Sequence, residues 1–129
     1  MTWLLNYAFD NNITCIFNNS KSDMPSCAIP ANRTIIVNTN YSDKRELPFM
    51  IAHEIAHVLD EDTGILYYTK NNTPYLKAEY NANQKAINIL LKYCKENNIF
   101  FDNYINFVDT FGIPYFLTDT VHEELENYK

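Results

Sequence analysis

The sequence predicts an α+β domain, with a short antiparallel sheet of about three strands packed on helices. Three observations predict it. Short β-branched and apolar runs, bounded by Asn, Ser and Pro, cluster between residues 13 and 37. Longer segments with apolar residues at helical spacing fill most of the remaining chain. Hydrophobic residues make up 47% and aromatics 15% of the 129 residues, enough to bury a real core. The length fits one domain, taken as 1–129 with a helical C-terminal part from about residue 99.

Each element has its own signal. Thr2 can cap a first short helix with Trp3, Leu4, Tyr7 and Ala8 on one face, and Asp10-Asn11-Asn12 stops it. Strands are expected over 13–17, 26–29 and 34–37. Pro30-Ala31-Asn32-Arg33 is short enough to make the last two a hairpin. Pro30 cannot donate to a ladder, which places the earlier of the two at a sheet edge. Ser42 or Asp43 can cap the next helix, 44–59, with Glu46 near a capping-box position and Pro48 in the first turn. That helix is apolar nearly all round, so it should be buried. Asp60 to Gly64 ends it, and a loop over 65–72 follows. Thr73-Pro74 starts a helix over about 75–96 that carries Leu76, Ala82, Ala86, Ile89, Leu90 and Tyr93. A short helix over 102–111 is closed by Gly112 with Pro114 behind it, and a last amphipathic helix spans about 117–128.

Charge narrows the function classes. The net charge of −6 argues against direct nucleic-acid binding and against docking on anionic membranes. Cys15, Cys27 and Cys94 are odd in number and contain no C-x-x-C, against both a disulfide framework and a cysteine zinc site. The N-terminus lacks the basic and apolar regions of a signal peptide, and no window reads as a membrane span. The reducing cytosol is the simplest setting.

The chemistry lies in the buried helix. His53-Glu54-Ile55-Ala56-His57 is an H-E-x-x-H pattern, which fewer than about one random order in a hundred of these residues would contain. Residues i and i+4 share a helical face, so two imidazoles can meet on one metal ion. Glu54 lies about 100° further round, suited to a carboxylate that reaches a metal-activated water without ligating the metal. Two histidines and a glutamate inside a buried helix are costly unless satisfied, and a shared metal satisfies the imidazoles.

A third protein ligand is needed to leave one open tetrahedral position. Metzincin completion would require Gly at position 60 and His at position 63, where this chain has Asp60 and Thr63. His122 belongs to an acidic terminal helix and reads as a surface residue. Asp60, Glu61 and Asp62 compete but sit in a polar loop. Glu79 shares a helical line with Ala82, Asn83, Ala86 and Leu90, which puts a carboxylate on a core-facing stripe unless a metal takes it. Ala52, Ala56, Ala82 and Ala86 are small enough for the two helices to approach closely. Asn83, one turn beyond Glu79, can hold the second nitrogen of a ligand imidazole. His₂Glu suits Zn²⁺ best, although manganese or iron can use the same ligands.

These residues resemble the ImmA/IrrE-type metallopeptidases, often encoded beside repressors in phages and integrative elements. Phe49 to Leu59 is similar to the family's active helix, and Glu79-Tyr80-Asn81-Ala82-Asn83-Gln84-Lys85-Ala86 to its E-x-x-A-N-x-F-A signature. Phe107 to Pro114 resembles a recurrent C-terminal stretch. Lys85 departs from the usual Phe, and Ala56 from a common Gly. The resemblance implies a small zincin-like fold, zinc on His53, His57 and Glu79, and Glu54 as general base. It further implies limited proteolysis of a helix-turn-helix repressor of a phage or mobile element, in the cytoplasm of a bacterial host. One rival is a non-proteolytic module that inactivates a repressor by sequestration. Others are a metalloprotease with another intracellular substrate and a structural protein without metal.

Overall fold

The computed structural model describes residues 1–61 and 73–128. Helix α1 (Thr2–Asp10) leads into strand β1 (Thr14–Asn18), followed by β2 (Cys27–Ile29) and β3 (Thr34–Asn38). Helices α2 (Leu47–Leu59), α3 (Thr73–Glu96), α4 (Tyr104–Phe111) and α5 (Thr118–Tyr128) complete the chain. The α+β class and all eight elements match the sequence expectation, with boundaries moved by one to three residues. Thr2 is the first residue of α1 and not its cap; Met1 holds that position and offers no side-chain oxygen. The expected loop over 65–72, with Asp62, Thr63 and Gly64, lies outside the described residues.

The sheet is mixed where the expectation was antiparallel. Its order is β1-β3-β2. β2 runs antiparallel to β3, as a hairpin requires, while β1 pairs with β3 in parallel from Thr14↔Thr34 to Asn18↔Asn38. The cause is the segment after β1, which must carry the chain across before β2 can return. Asn38, 2% exposed, pins it. Its amide donates to the carbonyls of Lys21 (2.8 Å) and Met24 (2.6 Å), and its side-chain oxygen accepts from the Ser20 and Asn40 amides. The β2–β3 link is a single 3₁₀ turn, Pro30–Asn32, closed by Arg33 in the left-handed region at φ 47°. Arg33 then donates to the carbonyls of Asn11 and Asn12 and ties this turn to the end of α1. β2 is an edge strand, as Pro30 predicted, and β3 is paired on both sides.

Helix α2 runs through the core. Asp43 caps the 3₁₀ turn Lys44–Glu46 that leads into it, accepting from the Arg45 amide at 3.0 Å. Ile51, Ala52, Ile55, Ala56 and Val58 are fully buried, against β2 and β3 and against α3. Ala78, Ala82 and Ala86 form a buried small-residue stripe on α3, and Ala52 and Ala56 are buried on α2, which packs against α3. Leu76, expected among the apolar positions of α3, is 52% exposed. It lies two residues before Ala78, about 200° round the helix, on the opposite side from that buried residue.

Helix α5 docks on α3 through a buried carboxylate. Glu124, 6% exposed, accepts from Gln84 (2.5 Å) and Asn88 (3.0 Å), which lie one turn apart on α3. Hydrogen bonds to a charged group contribute about 1.5–3 kcal/mol each. Glu124→Ala removes both and leaves two amide donors facing an apolar methyl. The expected loss is about 3 kcal/mol in urea unfolding. A loss below about 0.5 kcal/mol would show that this pair does not hold α5.

Candidate metal centre

His53 and His57 project from one face of α2 towards Glu79 on α3. The periodicity of α2 puts both rings on that face, and the small-residue stripe lets α3 come close enough for Glu79 to meet them. His57 Nε2 lies 3.0 Å from His53 Nε2 and 2.9 Å from Glu79 Oε1. His53 Nε2 lies 3.1 Å from Glu79 Oε2. The imidazoles meet edge to face, 86° apart with centroids at 4.6 Å. His57 is 1% exposed, and it lines a cavity of about 790 Å³ together with His53 and Glu79. Among the described residues, these three are the group able to share one metal ion.

The donor set fits a tetrahedral cation. Zinc bonds of about 2.0–2.1 Å at tetrahedral angles separate ligand atoms by about 3.3 Å. The observed 2.9–3.1 Å is within a few tenths of an ångström of that figure. Two imidazole nitrogens and both oxygens of Glu79 at such separations need a positive centre, protons or a metal, to hold them. His53 Nδ1 is buried and has no hydrogen-bond partner. Asn83 lines the same cavity one turn beyond Glu79, and no hydrogen bond joins its amide to that nitrogen.

The two carboxylates are tuned in opposite directions. Burial pushes Glu54 up to about 7, the charges of His53 and His57 pull against it, and Glu79 adds to the rise. A cation on the three ligands would act in the same sense as the histidines. Burial also raises Glu79, but hydrogen bonds and charge from His53 and His57 outweigh it and hold the carboxyl at about 2. Glu79 therefore stays an anionic ligand across the neutral range, while Glu54, half-buried on the same cavity, is not drawn into the ligand cluster.

Residues considered as competing ligands lie elsewhere. The Asp60 carboxylate is paired with Lys85 across the end of α2 and α3. Position 85, where the resembled family usually has Phe, thus carries an ion pair in this chain. Glu61 is exposed, with φ 55°. His122 is exposed and stacks on Tyr104, centroids 4.6 Å apart.

The cavity adds residues the sequence did not single out. Ser26, Cys27 and Ala28 bring edge strand β2 to its rim, and Tyr41, Phe49 and Tyr75 contribute aromatic walls. Burial, with the charges of Glu79 and Glu54 behind it, raises the Tyr75 phenol, which keeps its proton. With ten tyrosines in the chain, composition gives none of them weight. The usable signal was position: Tyr75 precedes Glu79 by four residues, one turn along the same helical face.

The family model for the IrrE N-terminal-like domain, a peptidase family, matches residues 12–117. Among curated proteins and among solved structures, no significant match is found. The matched span contains both helices of the site, all three ligand candidates and Glu54. His53, His57 and Glu79 make up the metal-binding cluster of a metallo-endopeptidase active site of the His₂Glu type. The chain belongs to the IrrE N-terminal-like peptidase family.

Proposed function

We propose that this chain is a zinc-dependent endopeptidase that cleaves a helix-turn-helix repressor of a phage or mobile element, and so relieves repression in a bacterial cytoplasm. The observation that carries the peptidase reading is Glu54, an intact carboxylate beside the converged His53, His57 and Glu79, opening on the same cavity. A sequestering module has no use for that group. His53, His57 and Glu79 would hold the zinc, which when bound supplies Lewis acidity and brings the pKa of a water towards about 7. Glu54 takes the proton from the attacking water and delivers it to the leaving amine. Asn83 serves to orient a ligand imidazole, its support being its place on the same face of α3 and on the same cavity wall.

An extended substrate segment is held at β2. Both sides of β3 are occupied, so of the two strands 26–29 and 34–37 only the first has an edge to offer. That edge borders the cavity through Ser26, Cys27 and Ala28, within reach of a chain lying across His53 and Glu54. The acidic chain, net −6, suits a basic protein partner such as a DNA-binding repressor better than nucleic acid itself. No described helix is long and apolar enough to cross a membrane.

Incubation with the candidate repressor tests this reading. The purified chain is expected to produce discrete fragments on a gel, to stop when a chelator is added, and to resume when zinc is restored. Repressor that stays intact while its DNA binding is lost would instead establish sequestration. Fragments that persist under chelation would remove the metal from the account.

A further inference from the structure

The sheet has two outer edges, and the metal centre borders only one of them. β2 lines the cavity, and β1 lies at the opposite edge. Among the described residues no strand lies beyond β1. The Thr14 amide donates to the Arg33 carbonyl at 2.9 Å, and the Asn18 carbonyl accepts from the Thr39 amide at 2.9 Å. Both bonds run to the β3 side. Backbone groups alternate in direction along a strand, so Thr14, Ile16 and Asn18 turn theirs to β3. The N–H and C=O groups of Cys15 and Phe17 point away from the sheet. No hydrogen bond from another described segment reaches them.

Edge strands are usually blunted by lysine, proline or a bulge. β1 carries no charge and no proline, and its register with β3 runs without a bulge. Ile16 and Phe17 are each about half exposed. Residues 11–20 contain no Asp, Glu, Lys, Arg or His. A chain of net charge −6 repels its own copies, and an uncharged segment lets two copies approach without like charges meeting. The pattern of outward groups selects the occupant. Cys15 and Phe17 flank Ile16 symmetrically. An antiparallel copy centred on Ile16 puts Cys15 opposite Phe17 of the second copy, and Phe17 opposite its Cys15. Each is a hydrogen-bonded pair that exchanges two bonds, so the four outward groups of each strand are all satisfied. Ile16 then meets Ile16 of the second copy on the axis. Through the strand register Ile16 shares a face with Ile36 and Cys27, so pairing extends one apolar row across both sheets.

We infer that β1 is a self-association edge: two copies of this chain pair antiparallel through β1, about a two-fold axis at Ile16. The product is one six-stranded sheet of order β2-β3-β1-β1-β3-β2. Both β2 edges and both cavities stay open at its outer ends. The dimer does not depend on the peptidase reading. An edge of five residues buries less than a standard interface, so association is expected at micromolar or higher concentration.

Sedimentation equilibrium of the full chain over a concentration series reads the association, with a monomer–dimer equilibrium expected. Ile16→Lys sets two ammonium groups face to face on the axis. It is expected to weaken the dimer at least about fivefold, with the melting temperature of the dilute chain unchanged. Phe116→Lys, at an exposed aromatic in the turn before α5, is expected to leave the dimer as in the parent. Cross-linking by oxidised glutathione in a Cys15→Ser, Cys27→Ser chain reads the register. Ile16→Cys is expected to link the two copies, because non-hydrogen-bonded antiparallel pairs bring Cα atoms to about 4.5 Å, within disulfide reach. Thr14→Cys alone is expected to stay unlinked, its two copies lying about 13 Å apart along the strands, and to link when mixed with Asn18→Cys. A chain that is monomeric at every concentration overturns the inference and leaves the edge to a strand of another protein. No weakening by Ile16→Lys, or equal weakening by Phe116→Lys, moves the interface off β1 and also overturns it. Thr14→Cys linking as fast as Ile16→Cys would show parallel or nonspecific pairing and overturn the two-fold arrangement.

Discussion

Glu54→Gln is expected to abolish repressor cleavage while leaving the metal in place. General acid–base catalysis contributes about 10²–10⁴-fold, and glutamine can neither take the proton from water nor return one to the amine. The substitution is close to isosteric, and Glu54 is not one of the three clustered ligand residues. Metal content should therefore stay at the parent value, and the fold should be untouched. It also removes a carboxylate whose burial costs enough to push it up to about 7, so stability should hold or rise slightly. The measurement is single-turnover cleavage of the repressor at fixed metal loading. Cleavage within about threefold of the parent would exclude Glu54 as the base.

The second large effect is on the fold. Gly112 ends α4 in the left-handed region at φ 66°. A Cβ built there would fall on the Arg45 carbonyl oxygen and lie 2.5 Å from Glu46 Cα. Those residues form the turn that launches α2, so the contact locks the end of α4 against the start of the site-bearing helix. Gly112→Ala meets both a left-handed penalty of about 1–2 kcal/mol and an overpacking cost of about 1–3 kcal/mol against backbone, which cannot rotate away. A loss of about 3 kcal/mol or more in urea unfolding is expected, with reduced metal affinity as α2 shifts. A variant within about 0.5 kcal/mol of the parent would show that the close approach is not real.

These two residues also mark what was legible in the sequence. Gly112 was readable as a helix stop, because glycine followed by proline is a local signal. That it presses on residues 45 and 46 was not, since no local pattern reports which backbone a turn meets. The H-E-x-x-H phase and the Glu79 stripe were readable because helical periodicity fixes which side chains share a face. Pairing of the faces followed from the small residues at 52, 56, 82 and 86. The parallel pairing of β1 was not readable, because strand patterns carry no direction. The Asn38 carboxamide gathers residues 20–24 beside it, and one Asn in an Asn-rich chain gives no hint of that. Lys85 was visible as a departure, but its partner Asp60 appeared only once α2 and α3 were placed together. Leu76 shows the limit of composition: an apolar residue near a helix start was assigned inward, and the phase of the alanine stripe turns it out.

The central claim is that His53, His57 and Glu79 hold one metal ion that Glu54 does not ligate. Metal analysis of purified, dialysed protein tests it most directly. The parent chain and Glu54→Gln are each expected to carry about one zinc per chain, and Glu79→Ala to fall below about 0.2. A parent chain below about 0.2, or a Glu79→Ala variant that keeps its full metal content, would contradict the account.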